Sequence, residues 1–119
     1  MSKKLYIGSI VTQCFEFEKM IHFWKDALGY SFREEPSEDW AVLRDPLGLG
    51  PNLSFQKREA KRDRRSWLHL DLYAADQEAE TARLISIGAK RYPWRYPEGA
   101  DYVVLEDPDG NLFCVVRGV

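Results

Sequence analysis

A histidine and an aspartate two residues apart form the clearest chemical group in this chain. In the strand-like run 67–73, side-chain alternation places His69, Asp71 and both flanking aromatic residues on one face, and the leucines on the other. Imidazole titrates near neutral pH, so His69 suits a general base or a group that hydrogen-bonds a ligand. The alternative is a buried histidine whose polarity is satisfied by a neighbour such as Asp71. His69 is therefore a candidate catalytic residue.

Cys114 is the second reactive side chain in a strand-like run. It shares a face with Leu112 and Val116, while Phe113 and Val115 point the other way. A cysteine thiolate is a nucleophile, whereas a neutral cysteine behaves as a small apolar residue. Since no base is adjacent in the sequence, the apolar interpretation of Cys114 is favoured.

Large aromatic rings indicate a binding surface. They are Trp40, Trp67, Trp94, Tyr92, Tyr96 and Tyr102. Core packing accounts for some of them. The segment 91–99 contains two prolines among its aromatic residues, and it is predicted to overhang a cleft as a lid. An aromatic-lined cleft favours flat or apolar ligands, and the acidic balance on both sides of residues 57–65 favours neutral or cationic ones.

An internal repeat predicts how these residues are positioned. Asp39–Gly48 is echoed 62 residues later by Asp101–Gly110, and both copies end in Asp-Pro-x-Gly. Each copy lies within the same series of patterns: a strand, a helix, a strand, a turn-bounded strand and a strand. The expected fold class is α+β, with two tandem βαβββ modules at 5–56 and 66–118. Such small modules must bury their apolar faces together or against a partner chain, which leaves a ligand cleft between them.

The two helices differ in the strength of their patterns. The first ends at Gly29, lacks the usual cap and has a broad apolar stripe of Phe17, Met20, Ile21, Trp24 and Leu28. The second spans 77–87, with Asp76 as its cap and Gly88 as its stop. Its apolar stripe is thinner, so it is expected to cover less of its sheet.

Composition favours a single globular domain over 1–119. The chain has 45% hydrophobic and 30% charged residues and a net charge of −2, so neither a nucleic-acid nor a membrane partner is expected. Two cysteines make no disulfide framework, and no signal peptide is evident, which predicts a cytoplasmic protein. The basic stretch 57–65 is interpreted as a solvated linker, with binding of an anionic partner as the alternative.

Several segments together resemble the vicinal oxygen chelate superfamily, and within it the glyoxalase-like and bleomycin-resistance-like proteins. They are Ile7-Gly8-Ser9, His22-Phe23-Trp24, Ala27-Leu28-Gly29, the two Asp-Pro-x-Gly turns, His69-Leu70-Asp71-Leu72 and Asp107–Cys114. The resemblance covers about residues 5–117. It implies paired βαβββ modules, each a curled, half-open mixed sheet, and frequent homodimers.

The resemblance also implies four equivalent positions at which the family's metal enzymes hold their ligands. Here those positions carry Ser9, Ser54, His69 and Cys114. His69 alone keeps an expected ligand type, and Cys114 stands where a glutamate is usual. A neutral serine hydroxyl offers a divalent cation little charge, and Asp71 is at most one further donor. We therefore expect no bound metal and no cofactor.

The favoured function is binding of a small, planar or hydrophobic molecule without chemistry. The predicted ligand-binding residues are Ser9, Trp40, Ser54, Gln56, Trp67, His69, Asp71, Trp94, Tyr102 and Cys114. One alternative is a metal-independent enzyme, or one with a degenerate metal site, of the lyase or isomerase type using His69. Another is a vestigial cleft in a protein that acts through dimerisation.

Overall fold

A computed structural model of the chain describes residues 6–61 and 68–118. The chain divides into two compact units, with the boundary after Lys61. Each unit contains one helix and one four-stranded sheet. Neither helix is long and apolar enough to cross a membrane, in the part of the chain that the structure describes.

The first unit has the element order β1, α1, β2, β3, β4. Its elements are β1 Ser9–Cys14, α1 Phe17–Leu28, β2 Ser31–Phe32, β3 Trp40–Arg44 and β4 Asn52–Lys57. The sheet order is β1-β4-β3-β2, with β1 parallel to β4 and the other neighbours antiparallel. This unit is therefore a βαβββ module with a mixed sheet.

The second unit repeats that arrangement. Its elements are β5 Asp71–Ala74, α2 Gln77–Ser86, β6 Lys90–Arg91, β7 Tyr102–Glu106 and β8 Leu112–Arg117. The sheet order is β5-β8-β7-β6, again with one parallel pair, β5 and β8. The predicted fold class, two tandem βαβββ modules with mixed sheets, is confirmed.

The strand predicted over 67–73 is shorter and later than its alternation suggested. Pairing of β5 with β8 begins where Asp71 lies opposite Cys114, and it extends to Ala74. Leu68, His69 and Leu70 are outside the strand, although the Leu70 carbonyl still accepts a hydrogen bond from the Cys114 N–H at 2.9 Å. Trp67 lies outside the described residues.

The first helix buries the face that its sequence pattern predicted. Phe17, Met20, Ile21 and Trp24 are buried, together with Phe23 and Ala27, and Leu28 is half-buried. Glu16 precedes the helix without a side-chain cap, and Gly29 ends it in the left-handed region with φ of 67°. A residue with a Cβ is strained there, which explains the glycine. The buried face packs against β3 and β4.

The second helix is capped as predicted and has fewer buried side chains than the first. The Asp76 carboxylate accepts a hydrogen bond from the Ala79 N–H at 3.1 Å, which satisfies one of the free donors of the first turn. Thr81 and Leu84 are its buried side chains. The helix packs against β5 and β8, so it covers one face of the second sheet.

Replacing Thr81 with valine is expected to stabilise the protein. The hydroxyl oxygen is buried, and no described residue forms a hydrogen bond with it. A buried polar group without a partner costs about 1–3 kcal/mol, and valine keeps the shape while removing that group. We expect Thr81→Val to raise the free energy of unfolding by about 1 kcal/mol in urea titrations. Thr81→Ser, which keeps the hydroxyl and loses the methyl group, is expected to be destabilising instead.

Candidate functional site

The second unit carries a pocket on one face of its sheet. Its volume is about 380 Å³. The lining residues are His69, Asp71, Tyr73, Trp94, Asp101, Tyr102, Val104, Leu112, Cys114 and Val116. Phe113 and Val115 alternate with the lining residues of β8 and are buried on the opposite face. Its size lies within the range of small-molecule sites, which is roughly 300–1,000 Å³.

Strand register brings the titratable side chains of this pocket close together. Asp71 of β5 lies opposite Cys114 of β8, and His69 precedes Asp71 by two residues. An imidazole nitrogen of His69, Nε2, is 3.1 Å from Asp71 Oδ1, and both side chains are about half exposed. One donor atom from each of His69, Asp71 and Cys114 lies within 4.8 Å of the others.

The Cys114 thiol is held in its neutral form. Its pKa is raised from the ordinary value of 9.0, first because burial penalises the thiolate and then because the Asp71 carboxylate repels it. A neutral thiol is a poor nucleophile. Cys114 thus lines the pocket as a neutral thiol, and its role as a small apolar contact for a ligand stays a prediction.

Neutralising Asp71 is expected to increase the reactivity of Cys114. A carboxylate raises the thiol pKa, so Asp71→Asn should lower that pKa and increase the thiolate fraction at any pH below it. We expect alkylation of Cys114 by iodoacetamide at pH 8 to become faster, and the pH-rate curve to move to lower pH. Intact-mass kinetics measure this directly, since Cys14 is fully buried and serves as an internal control. An unchanged curve would mean that Asp71 does not act on the thiol.

An aromatic group forms one wall of the pocket. Trp94 Nε1 donates a hydrogen bond to the Tyr102 hydroxyl at 3.3 Å, and the Tyr96 ring lies 5.6 Å from the Tyr102 ring. The Tyr96 hydroxyl accepts a hydrogen bond from the Val104 N–H at 2.8 Å. Because β6 is short, this bond satisfies a donor of β7 that has no strand partner beside it. The segment predicted as a lid is thus fixed against β7, while its role in closing over a ligand stays a prediction.

The first unit presents its predicted site residues on one face of its own sheet. Ser9 Oγ and Ser54 Oγ are 2.6 Å apart and share a hydrogen bond. Trp40 lies opposite Gln56 across β3 and β4, and Gln56 Oε1 accepts a hydrogen bond from Gln13 Nε2 at 3.2 Å. The contribution of these four residues to ligand binding stays a prediction.

The two sheets are equivalent in register, as the repeat indicated. Ser54 lies opposite Val42, and Cys114 lies opposite Val104, at the same distance along the equivalent strands. The turn between β3 and β4 is two residues longer than the turn between β7 and β8. In both turns an aspartate accepts backbone N–H bonds: Asp45 from Leu47, Leu49 and Gly50, and Asp107 from Asp109 and Asn111.

Of the four positions at which the resemblance implies metal ligands, the two in the first unit do not fit that role. Ser9 and Ser54 are neutral, and each already has the other as a hydrogen-bond partner. Cys114 offers a thiol, which binds a metal only after losing its proton. Of the four positions only His69 carries an ordinary ligand, while Asp71, outside the four, brings a carboxylate whose oxygen lies within 4.8 Å of the His69 and Cys114 donor atoms.

Five lining residues were not among the predicted site residues: Tyr73, Asp101, Val104, Leu112 and Val116. Alternation along the strands carried the signal for most of them, because Tyr73 shares a face with His69, and Leu112 and Val116 share one with Cys114. For Asp101 the signal was the repeated pair of an aspartate followed by an aromatic residue, Asp39-Trp40 and Asp101-Tyr102.

The fold and register define a protein of two tandem βαβββ modules, each with a mixed four-stranded sheet. A family model described as a glyoxalase-like domain matches residues 9–116. The chain therefore belongs to the glyoxalase-like domain family, within the vicinal oxygen chelate superfamily, and the sequence-based resemblance is confirmed.

Solved structures share this fold at low sequence identity. A glyoxalase/bleomycin resistance protein/dioxygenase family enzyme from Burkholderia phytofirmans is 16% identical with a TM-score of 0.73, over 94% of this chain and 98% of that chain. A bleomycin-binding protein from Streptomyces verticillus, in complex with copper(II)-bleomycin, is 17% identical with a TM-score of 0.63, over 99% and 100%. A fosfomycin resistance protein from Mesorhizobium loti is 15% identical with a TM-score of 0.66, over 100% and 94%. No curated protein matches the sequence significantly.

Proposed function

We propose that this protein binds a small, planar or hydrophobic molecule, without a bound metal and without chemical conversion. The observation that carries the proposal is the pocket of the second unit, where an aromatic wall faces a few convergent polar groups. Such a combination is typical of small-molecule sites. Ser9, Trp40, Ser54 and Gln56 of the first unit are proposed as further ligand-binding residues.

Proteins of the same fold support this class of function. One of them is a bleomycin-binding protein and another is a fosfomycin resistance protein. At 17% and 15% identity these proteins share the fold. The ligand class of this chain is therefore inferred from its own pocket residues.

Protection of Cys114 tests the proposal directly. A bound molecule would cover the thiol, whereas Cys14 is fully buried and is expected not to react in the native protein. We expect flat or apolar compounds that raise the melting temperature to slow labelling of Cys114 by N-ethylmaleimide at the same concentrations. Stabilisation by aliphatic anions alone would contradict the proposal.

The second candidate function is a metal-independent enzyme of the lyase or isomerase type. The contact between His69 Nε2 and Asp71 Oδ1 favours it, because a carboxylate that orients an imidazole is a common feature of general bases. In that case His69→Gln would abolish turnover of a compound that still protects Cys114. Turnover by neither the wild type nor the variant would leave binding as the function.

The metal-free state has its own test. Elemental analysis of purified protein is expected to find no stoichiometric transition metal, and added Zn²⁺ is expected to leave the melting temperature unchanged. The donor set underlies this expectation, since two of its four positions are mutually hydrogen-bonded serines. Stoichiometric metal that is lost in His69→Ala would overturn it.

A homodimer in the cytoplasm completes the proposal. Sheet edges and exposed apolar side chains favour self-association. In the first unit these side chains include Tyr6, Ile7, Leu47 and Leu49. Sedimentation at micromolar concentration is expected to give the mass of two chains, and a monomer would refute the dimer. A dimer whose pocket accepts no small molecule would favour the third interpretation, a vestigial site.

A further inference from the structure

Apart from the imidazole of His69, the charged groups among the described lining residues of the pocket are carboxylates. Asp71 and Asp101 are its carboxylates, and no lysine or arginine is among its lining residues in the described part of the chain. Arg117 follows Val116 on β8, but alternation places its side chain on the opposite face of the sheet. A ligand in this pocket therefore meets two carboxylates, and His69, 3.1 Å from Asp71, is the one described lining residue that carries a positive charge when protonated.

Asp101 is the less satisfied of the two carboxylates. The Asp71 carboxylate has His69 as a neighbour, whereas the Asp101 carboxylate forms no hydrogen bond or ion pair with any residue in 6–61 or 68–118. Its backbone is fixed, since the carbonyl accepts hydrogen bonds from Gln77 Nε2 at 2.9 Å and from the Arg117 N–H at 2.6 Å. The position of Asp101 is thus held by the fold, while its charge is left for solvent or a ligand.

Aromatic rings line the same pocket. Tyr73, Trp94 and Tyr102 contribute three of its ten lining side chains. The face of an aromatic ring attracts a cation as well as a flat apolar group, with tryptophan the strongest of the natural rings. Carboxylates and ring faces therefore favour the same ligand charge.

We propose that the pocket selects organic cations, specifically a protonated amine on a flat or apolar frame, with the amine near Asp101 and Asp71 and the frame against Trp94 and Tyr102. The inference rests on the proposed function and adds the charge of the ligand to it. Neutral compounds of the same shape bind more weakly because they leave the carboxylates without a counter-charge. Anions are repelled.

Three compounds with one ring system and different charge test this inference. They are 2-naphthylmethylamine, 2-naphthylmethanol and 2-naphthoate, measured by calorimetry at pH 7.5 and low salt, with labelling of Cys114 as a second readout. We expect the amine to bind at least tenfold more tightly than the alcohol, and the carboxylate to bind more weakly than both. Raising the salt concentration is expected to weaken the amine selectively, because its attraction to the carboxylates is screened.

Substitution of Asp71 and Asp101 tests whether these carboxylates cause the preference for the amine. Asp101→Asn and Asp71→Asn are each expected to reduce the ratio of amine to alcohol affinity at least threefold, with little effect on the alcohol. Asp39→Asn is the matched control, since Asp39 is the equivalent aspartate of the first repeat and is not a lining residue. It is expected to leave the ratio unchanged.

Each outcome separates this inference from the proposed function. Equal affinity for the amine and the alcohol, with Cys114 protected by both, would overturn the inference and leave small-molecule binding in place. An amine preference that survives both aspartate substitutions would also overturn it. If none of the three compounds binds or protects Cys114, both the inference and the proposed function for this pocket fail.

Discussion

Leu43→Ala and Leu105→Ala are each expected to lower the free energy of unfolding by about 2–5 kcal/mol. Both leucines are completely buried, at 0% exposure. They occupy equivalent positions, since Leu43 lies opposite Leu53 in the first sheet and Leu105 lies opposite Phe113 in the second. Removing either side chain leaves a cavity between a sheet and its helix, and the cost grows with the volume that the surroundings cannot refill.

The pair of variants also tests whether the two units unfold together. A domain of ~60 residues buries only about 60% of its unfolded surface and is marginally stable, so each unit is expected to depend on the rest of the chain. We expect urea titrations followed by circular dichroism and fluorescence to give one coincident transition, which either substitution moves to lower urea. This outcome would support the predicted single domain over 1–119.

The control for this experiment is Leu49→Ala. Leu49 is 84% exposed, so the same chemical change is expected to alter the free energy of unfolding by less than about 0.5 kcal/mol. Two transitions, each shifted only by the substitution in its own unit, would contradict cooperative unfolding. That result would make the units independent domains joined by the basic segment.

The repeat and the long apolar patterns predicted most of the fold. The first helix has a stripe with a clear 3.6-residue period, and Phe17, Met20, Ile21 and Trp24 are buried as that period requires. The aspartate turns predicted the ends of β3 and β7, because a carboxylate that accepts several backbone N–H bonds specifies a turn locally. Signals of this kind depend on neighbours in the sequence, so no tertiary information is needed.

Features that depend on distant neighbours were harder to predict. Alternation continued through His69, but β5 begins only at Asp71, because a strand is defined by the ladder with its partner β8. β2 and β6 are two residues long, too short for a periodic pattern. The hydrogen bond from the Val104 N–H to the Tyr96 hydroxyl depends on a turn of the chain that no local pattern specifies.

Only part of the candidate site could be predicted from the sequence, for the same reason. Strand alternation placed His69, Asp71 and Cys114 on one face, and the structure brings their donor atoms within 4.8 Å of one another. Asp101 escaped prediction because it precedes β7, where alternation has not begun. Site residues on strands can therefore be predicted from the sequence more completely than site residues on the connecting segments.

Trp94→Ala is expected to weaken binding of 2-naphthylmethylamine about 30-fold. Trp94 lines the pocket, and its indole N–H is hydrogen-bonded to the Tyr102 hydroxyl, so the ring is fixed before a ligand arrives. Truncating a tryptophan that contacts the ligand typically costs about 2 kcal/mol, and 1.4 kcal/mol corresponds to a factor of ten in affinity. The variant also frees the Tyr102 hydroxyl, which adds to the loss.

Trp94→Phe separates the ring from its hydrogen bond. Phenylalanine keeps an aromatic face but has no N–H for Tyr102, so its affinity is expected to lie between those of the wild type and Trp94→Ala. Equal affinity of all three proteins would exclude the aromatic wall from binding. Trp40→Ala extends the experiment to the first unit, where Trp40 occupies the position equivalent to Tyr102. If Trp40 is a ligand-binding residue, as proposed, Trp40→Ala also weakens binding; unchanged affinity would remove Trp40 from the site.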